Sequence, residues 1–164
     1  MDISSYTLAL SKRLSNYFEI KYNNTLLSDT IDIFASTKLV LGRTLISQKD
    51  VIDKFESNEY ILVKYFDTID EHVINNFIEY IKNVPSLLVK PNKYHKSSYI
   101  NAVMVCDKLP DKTKTIKTFK YEKIYKFYFQ GFCEIRLLIV SLADNLVVSN
   151  KAGRKVKSMY LPTY

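Results

Sequence analysis

Three nearly continuous apolar stretches constrain the fold of this chain more than any other feature. They cover residues 60–66, 99–106 and 135–142 and are rich in β-branched and aromatic side chains. Apolar runs of this length without regular polar positions are typical of strands that are covered on both faces. We therefore predict a sheet that carries these three strands at or near its centre, with helices packed on it.

Two longer helices are predicted from apolar residues that recur every three to four positions. The first covers residues 5–18 and begins after Ser4 or Ser5 as N-cap. The second covers residues 70–83, begins at Thr68 or Asp70, and is disturbed by Pro85. Its predicted core-facing residues are Ile74, Phe77, Ile78 and Ile81.

Shorter elements complete a predicted order of α-β-β-β-α-β-α-β-β-β. This order indicates a single α+β domain over residues 1–164, with a mixed central sheet, helices packed on it and no internal linker. The remaining predictions are a strand at 30–41, a hairpin at 54–66 turning at Ser57–Asn58, a polar loop at 92–98, a short helix within 107–123 with Ile116 and Phe119 inward, strands at 124–130 and 133–142, a hairpin at 143–145 leading into 147–148, and a loosely packed basic C-terminal segment at 150–164.

Composition excludes several classes of protein. The chain has 164 residues with 3 Gly, 4 Pro and 22 aromatic residues, which is a folded rather than a disordered composition. With so few glycines, the sequence has neither a glycine-rich phosphate-binding loop nor a dinucleotide-binding motif. We expect no cofactor and no metal site. The first residues lack the basic and apolar regions of a signal peptide, and no apolar run could span a bilayer. We therefore expect a cytoplasmic protein with no membrane association, in which Cys106 and Cys133 are buried and reduced.

The positive charge is concentrated in the second half of the chain. Residues 1–49 carry net +2, residues 50–89 net −5 and residues 90–164 net +10. Lysines interleaved with aromatic residues are a pattern of proteins that bind phosphates and stack bases. We predict a nucleic-acid or other polyanion surface formed by Lys112, Lys114, Lys117, Lys120, Lys123, Lys126, Lys151, Arg154, Lys155 and Lys157.

A simpler interpretation of the same residues is a solvated surface. Lysine outnumbers arginine 20 to 4, and arginine is preferred for bidentate recognition of guanine or phosphate. If residues 124–130 form a strand, Tyr125, Phe127 and Phe129 share one face, which favours placing most of these aromatic residues in the core. Whether the basic segments form one contiguous face stays open at this level.

The element order resembles the core of the restriction-endonuclease-like fold, the PD-(D/E)xK nucleases. Those enzymes carry a carboxylate and a lysine two positions apart on the third strand, so that both point to one face and can hold Mg²⁺ and orient water. Here Glu59 and Lys64 are five positions apart, and Leu62 stands where the carboxylate should be. Only a degenerate nuclease would remain, using carboxylates from the pool Asp32, Asp53, Glu56 and Glu59.

No other catalytic constellation is evident. A cysteine nucleophile would need Cys106 or Cys133 beside a histidine that lowers its thiol pKa. His72 lies at the start of a predicted helix beside acidic residues, where exposure to solvent is the simplest expectation. His95 lies in a predicted loop, where a histidine usually caps backbone groups.

Four segments resemble a family of small proteins of low-GC Gram-positive bacteria, built on a domain of unknown function. The resemblance extends over nearly the whole chain and implies no catalytic residue, ligand or fold. The segments are Tyr94-His95-Lys96-Ser97-Ser98, Phe119-Lys120-Tyr121, Gly131-Phe132 and Asn150-Lys151-Ala152-Gly153-Arg154-Lys155-Val156.

The sequence favours a non-enzymatic protein that binds a polyanion, most of all nucleic acid. The alternative is a protein–protein interaction or regulatory module of the immunity or antitoxin kind, which would use the acidic surface of residues 50–89 or an exposed sheet edge. The degenerate nuclease is the third hypothesis.

Overall fold

A computed structural model describes residues 1–44 and 51–162 as one mixed sheet of seven strands with helices on both faces. The predicted α+β class and element order are confirmed. The helices are α1 (Ile3–Leu14), α2 (Glu71–Leu88) and α3 (Lys114–Thr118). The strands are β1 (Glu19–Leu26), β2 (Asp29–Thr44), β3 (Val51–Tyr65), β4 (His95–Cys106), β5 (Glu122–Ile124), β6 (Phe132–Ser141) and β7 (Leu146–Ser149), and two 3₁₀ turns follow at Ala152–Lys155 and Lys157–Tyr160.

The three apolar stretches form the centre of the sheet, as predicted. The strand order is β1-β2-β3-β4-β6-β5, and β7 also pairs with β6. Strands β3, β4 and β6 run parallel, whereas the other pairings are antiparallel. Parallel neighbours need a crossover connection, which α2 supplies between β3 and β4.

Each face of the sheet is covered by its own hydrophobic cluster. Beneath α2, the predicted residues Ile74, Phe77, Ile78 and Ile81 are buried and share a cluster with the sheet. On the opposite face, α1 buries Tyr6, Leu10 and Leu14. The alternation of side chains along β4 divides its residues between the two clusters, with Ile100 under α2 and Val103 under α1.

Two strand predictions are wrong in detail. Residues 54–66 do not form a hairpin, because Ser57 and Asn58 continue β3 and pair with β2 on one side and β4 on the other. Strand β1 was not predicted, because its residues are mostly polar and its side chains are mostly exposed at the margin of the sheet. The predicted order still holds because the number of strands before α2 is unchanged: β1 adds a strand that was not predicted, and β3 is one strand where two were predicted.

Other boundaries also differ from the prediction. Residues 95–98, which were predicted to belong to a loop, form the first part of strand β4, and Ser97 and Ser98 are buried there. Helix α2 continues to Leu88 through a buried Pro85, and α1 ends at Leu14, four residues earlier than expected.

The C-terminal segment, for which we expected loose packing, is held against the α1 face at several points. Tyr160 is fully buried, and its backbone carbonyl accepts a hydrogen bond from the Tyr6 hydroxyl at 2.9 Å. The Arg13 guanidinium donates to the carbonyls of Met159 and Leu161. These contacts fix the 3₁₀ turns, and with them the basic residues that the turns carry.

Candidate nucleic-acid interface

A cleft beside β6 brings together lysines from the two basic segments. Its volume is about 470 Å³. The first segment contributes the exposed residues Lys117 and Lys120, and the second contributes the exposed residues Lys151 and Lys155. The rest of the lining is Thr118, Phe119, Tyr121, Glu122, Glu134, Asn150 and Ala152.

The side chain of Asn150 builds the floor of this cleft. Strands β5 and β7 pair with the two ends of β6 and leave its middle without a strand partner on that side. Asn150 occupies the gap: its Oδ1 accepts from the backbone N–H of Leu137 at 3.1 Å, and its Nδ2 donates to the carbonyl of Ile135 at 3.1 Å. Its Nδ2 also donates to the carbonyl of Phe119, which connects α3 to the start of the C-terminal turns.

The same asparagine fixes the turn that carries the second pair of lysines. Its Oδ1 accepts from the N–H of Gly153 at 2.8 Å. A Cβ at Gly153 would lie 3.1 Å from this oxygen and 3.1 Å from the Ser149 Cβ, so a larger residue there would have to push these neighbours back by a few tenths of an ångström. The turn can be recognised in the sequence as Asn150-Lys151-Ala152-Gly153. Its role in the cleft, however, follows from the hydrogen bonds of Asn150 to β6, which local sequence does not show.

The remaining predicted residues do not all join this cleft. Lys112 and Lys114 line a second cleft of about 570 Å³ together with Lys117, and the acidic residues Glu71 and Asp111 share it. Lys123 is exposed on β5, with its Nζ 5.6 Å from the centroid of the Tyr125 ring, and Lys126 is exposed in the following loop. Arg154 is exposed and Lys157 half-buried on the C-terminal turns.

The basic residues of the two halves of the chain differ in their partners. Five of the six lysines described between residues 1 and 89 form ion pairs with a carboxylate. Within the described residues, none of the thirteen lysines from residue 90 onward forms one. In the cleft, Glu134 faces the Arg136 Nε at 3.6 Å, which leaves Glu122 as the only lining carboxylate without an ion pair.

The prediction that most of the aromatic residues after β5 lie in the core is wrong: Tyr125 packs against the cluster beneath α2, but Phe127, Tyr128 and Phe129 are exposed. Residues 125–131 form a loop rather than a strand, because Lys126, Phe127 and Tyr128 all have positive φ angles of 45°, 50° and 70°. Phe127 and Phe129 are 92% and 82% exposed. Alternation along a strand therefore does not apply to them.

His95 caps a backbone group, as expected, but from a buried position in β4 and not from a loop. Its Nδ1 lies 2.5 Å from the carbonyl of Gln130, and its Nε2 lies 2.8 Å from the Ser98 hydroxyl. Because a carbonyl only accepts, Nδ1–H is the donor, and in the neutral ring Nε2 accepts from Ser98. Ser98 has no exposed surface, so this histidine–serine pair stabilises the strand ends and is not open to a substrate.

The carboxylates of the nuclease hypothesis are dispersed. Glu59 accepts from the Asn101 Nδ2 at 2.7 Å and pairs with the Arg136 Nη1 at 3.2 Å, while Asp32 accepts from the backbone N–H of Tyr65. Glu56 pairs with Lys38 at 3.0 Å, and this hydrogen bond lowers the pKa of its carboxyl. The side chain of Asp53 lies outside the described residues. Among the described histidine, cysteine, aspartate and glutamate side chains, no group of three is placed to hold a metal ion.

The two cysteines are buried and free, as predicted. Burial raises the pKa of the Cys106 thiol to about 11 and that of the Cys133 thiol to about 12. A nucleophilic cysteine needs the opposite shift, because the thiolate is the reactive form. His72 is exposed on α2, where its Nε2 lies 3.0 Å from the Asn76 amide.

Comparison with known proteins places the chain in a family. The model of a domain of unknown function, DUF8052, matches residues 2–162. The chain belongs to this family. No curated protein and no solved structure matches it.

The match to the DUF8052 model covers both the sheet and the C-terminal turns, so the cleft lies wholly within the family domain. In the described part of this DUF8052 chain, no helix combines the length and the apolar character needed to cross a membrane.

Proposed function

We propose that this chain is a non-enzymatic, cytoplasmic binding protein for a polyanion, and that the polyanion is nucleic acid. The observation that supports the proposal is the convergence of Lys117, Lys120, Lys151 and Lys155 on one cleft, with none of the four in an ion pair within the described residues. Lysines without carboxylate partners keep their charge for an external anion. Both cysteines are free and buried, which supports a cytoplasmic location.

The chemistry of the cleft favours nucleic acid over a simple anion. Four lysines distributed around one cleft suit a ligand with several phosphates, and the partly buried rings of Phe119 and Tyr121 add apolar lining that a base or ribose can contact. Lysine binds phosphate as a point charge, and phosphate contacts carry no direct information about base sequence. Binding should therefore depend weakly on sequence and strongly on salt.

The direct test is the salt dependence of affinity for mixed-sequence DNA and RNA, measured by fluorescence anisotropy. With four phosphate contacts, log K against log salt should have a slope of about −3.6 on duplex DNA, which is about a 150-fold loss between 50 and 200 mM salt. The variant K117Q/K120Q/K151Q/K155Q should bind at least tenfold more weakly at 50 mM salt, with a shallower slope. Absence of binding by the wild-type chain at micromolar concentration and 50 mM salt would refute the proposal.

A protein-interaction module is the second candidate, because one apolar segment is exposed. Leu39, Val40 and Leu41 lie on β2 past the residues that pair with β1, and each is about half exposed. An interface of this kind would be insensitive to salt. Sedimentation of the chain at increasing concentration, with L39S/L41S as the comparison, tests whether this segment binds a second copy; an unchanged monomer at all concentrations would contradict self-association.

A further inference from the structure

The loop Tyr125–Gly131 holds a backbone that ordinary residues rarely adopt. Three successive side-chain-bearing residues, Lys126 to Tyr128, lie in the left-handed region, which is usually occupied by single residues and mostly by glycine. Gly131 also has a positive φ of 70°, and a Cβ there would lie 2.3 Å from the Lys96 carbonyl oxygen. Such a conformation persists only where the surroundings determine it, so the contacts around the loop are informative.

The base of the loop is fixed on both faces of the sheet. On the α2 face, the Tyr125 ring packs edge-on against His95 at 5.9 Å, and His95 binds the Gln130 carbonyl. On the α1 face, the Tyr128 ring contacts Phe132 at 6.4 Å, and Phe132 contacts Tyr99 at 5.9 Å. Backbone hydrogen bonds from Tyr125 to Gly131, Phe129 to Lys126 and Gly131 to Tyr128 close the loop on itself.

The tip of this fixed loop presents two phenylalanines to solvent. Phe127 and Phe129 are 92% and 82% exposed, and neither makes a ring contact within the described residues. Both Tyr125 and Tyr128, by contrast, use their rings to hold the base. A rigid support that exposes two aromatic rings is the arrangement expected of a preorganised stacking surface.

Strand β5 connects this loop directly to the lysine cleft. Tyr121 and Glu122 line the cleft, and Tyr125 begins the loop after the three residues of β5, a distance of about 10 Å along a strand. Lys123 and Lys126 are exposed along this path. A bound single strand that follows β5 can thus place phosphates on lysines and bases on the loop.

We propose that the loop Tyr125–Gly131 stacks unpaired bases of single-stranded nucleic acid through Phe127 and Phe129, next to the lysine cleft. The inference rests on the proposed function and specifies its ligand class. Bases in a duplex are already stacked on each other, whereas an unpaired base offers a free π-face. The chain therefore prefers a single strand to a duplex of the same length.

An anionic bilayer is the other surface that exposed phenylalanines and lysines can fit. Burial of two phenylalanine side chains gains less free energy than burial of one myristoyl chain, which by itself gives only marginal attachment. The continuity with the lysine cleft favours the nucleic acid, and vesicles of phosphatidylcholine and phosphatidylserine form a second arm of the test.

The test compares wild-type protein with F127A/F129A, F127L/F129L and F127Y/F129Y, using a mixed-sequence single strand, its duplex and the vesicles. Leucine keeps apolar area but removes the π-face, whereas tyrosine keeps it. We expect the alanine and leucine variants to lose at least fivefold in single-strand affinity for each phenylalanine removed, with duplex affinity and salt slope unchanged and with tyrosine restoring binding. Two exposed apolar residues far along the chain from the loop, Leu8 on α1 and Tyr17 in the turn after it, provide the matched control, L8A/Y17A, which should bind like the wild type.

A spectroscopic readout is available because the chain contains no tryptophan. F127W places a single reporter at the tip, and its fluorescence should be quenched by the single strand and not by the duplex. Salt-dependent binding that is unaffected by F127A/F129A would overturn the stacking inference and leave the proposed function standing. Blue-shifted F127W emission with vesicles, with leucine as effective as phenylalanine, would overturn it in favour of a membrane surface. Absence of binding to any nucleic acid would overturn both.

Discussion

The lysines of the first half of the chain and those of the second half occupy surfaces of different kinds. In the first half they lie beside carboxylates on the sheet and helices, as Lys38 lies beside Glu56 and Lys82 beside Glu79. In the second half no lysine forms an ion pair within the described residues, and four of these lysines line one cleft, in which Glu134 is already engaged by Arg136. Lysines thus form ion pairs within the protein in the first region, whereas in the second their charge is free for an external partner.

The contrast shows why net charge alone is a poor guide to function. The acidic segment 50–89 carries net −5, yet Glu56 and Glu59, two of its carboxylates, are neutralised by basic residues from other segments. In the basic segment 90–164, Arg136 pairs with Glu59 and Glu134, but none of the thirteen lysines pairs with a carboxylate of the described residues. What matters is which charges the fold brings together, and sequence alone does not give that.

The largest expected effect separates two variants of equal net charge. K117Q/K120Q/K151Q/K155Q should lose at least tenfold in nucleic-acid affinity and keep its stability, because exposed lysines without ion pairs contribute little to folding. K21Q/K38Q/K64Q/K82Q removes paired lysines, so it should bind within about threefold of the wild type but lose about 1–2 kcal/mol of unfolding free energy. Anisotropy and urea unfolding measure the two quantities, and equal affinity of the two variants would remove the distinction.

The next effect concerns the most buried ion pair. Arg136 is 8% exposed, and Glu59→Gln leaves its guanidinium with the Tyr99 ring at 4.0 Å and, among the described carboxylates, with Glu134 at 3.6 Å. We expect a loss of about 1–2 kcal/mol in urea unfolding, less than for a fully buried pair because Glu59 is partly exposed. Glu79→Gln, in an exposed pair with Lys82, is the matched control and should cost under about 0.5 kcal/mol. Equal costs would show that burial of the pair is unimportant.

Acid pH should reveal the pairing of Lys38. This lysine lowers the pKa of the Glu56 carboxyl, so the folded carboxylate stays ionised where the unfolded one has bound a proton. The stabilisation of the folded protein by this ion pair is present above about pH 4.3 and is lost as the pH falls further. Lys38→Gln should therefore reduce the loss of stability between pH 5 and pH 3, measured by thermal unfolding, whereas Lys12→Gln should not. An unchanged acid profile in Lys38→Gln would contradict this assignment.

The smallest expected effect is on thiol protection. Cys106 and Cys133 are buried on β4 and β6, and burial keeps their thiol pKa values raised. Labelling of native protein near pH 8 should be slow and should reach two thiols after denaturation, equally for the wild type and the cleft variant. Faster labelling of the cleft variant would mean that its lysines also support the fold.

Sequence patterns predicted what depends on local periodicity. The apolar runs at 60–66 and 99–106 identified central strands, and the spacing of Ile74 and Ile81 identified the buried face of α2. Strand β1 was missed because an edge strand needs no apolar alternation. Phe127 was misplaced because nothing local distinguishes a strand from a loop that is fixed by His95 and Phe132.

The candidate site was predicted as a list of lysines, but its geometry was not. Lys117 and Lys151 line one cleft where Asn150 joins the turn at Gly153 to β6 and to the end of α3, through hydrogen bonds to Leu137 and Phe119, which lie 13 and 31 positions away in the chain. Local propensity cannot supply such a contact. The same holds for Lys123, which lies outside the cleft although it belongs to the same basic run.

Asn150 also has a consequence for aggregation. Unpaired backbone groups at the margin of a sheet are a template on which another chain can add a strand. On the outer side of β6, one amide side chain takes the place of a strand residue and occupies the groups of Ile135 and Leu137 that β5 and β7 leave open. The opposite margin, β1, instead carries polar and charged side chains such as Glu19 and Lys21. The Asn150 side chain thus closes one margin, and polar side chains keep the other in water. Loss of the Asn150 side chain would expose the middle of the buried strand β6 to intermolecular pairing.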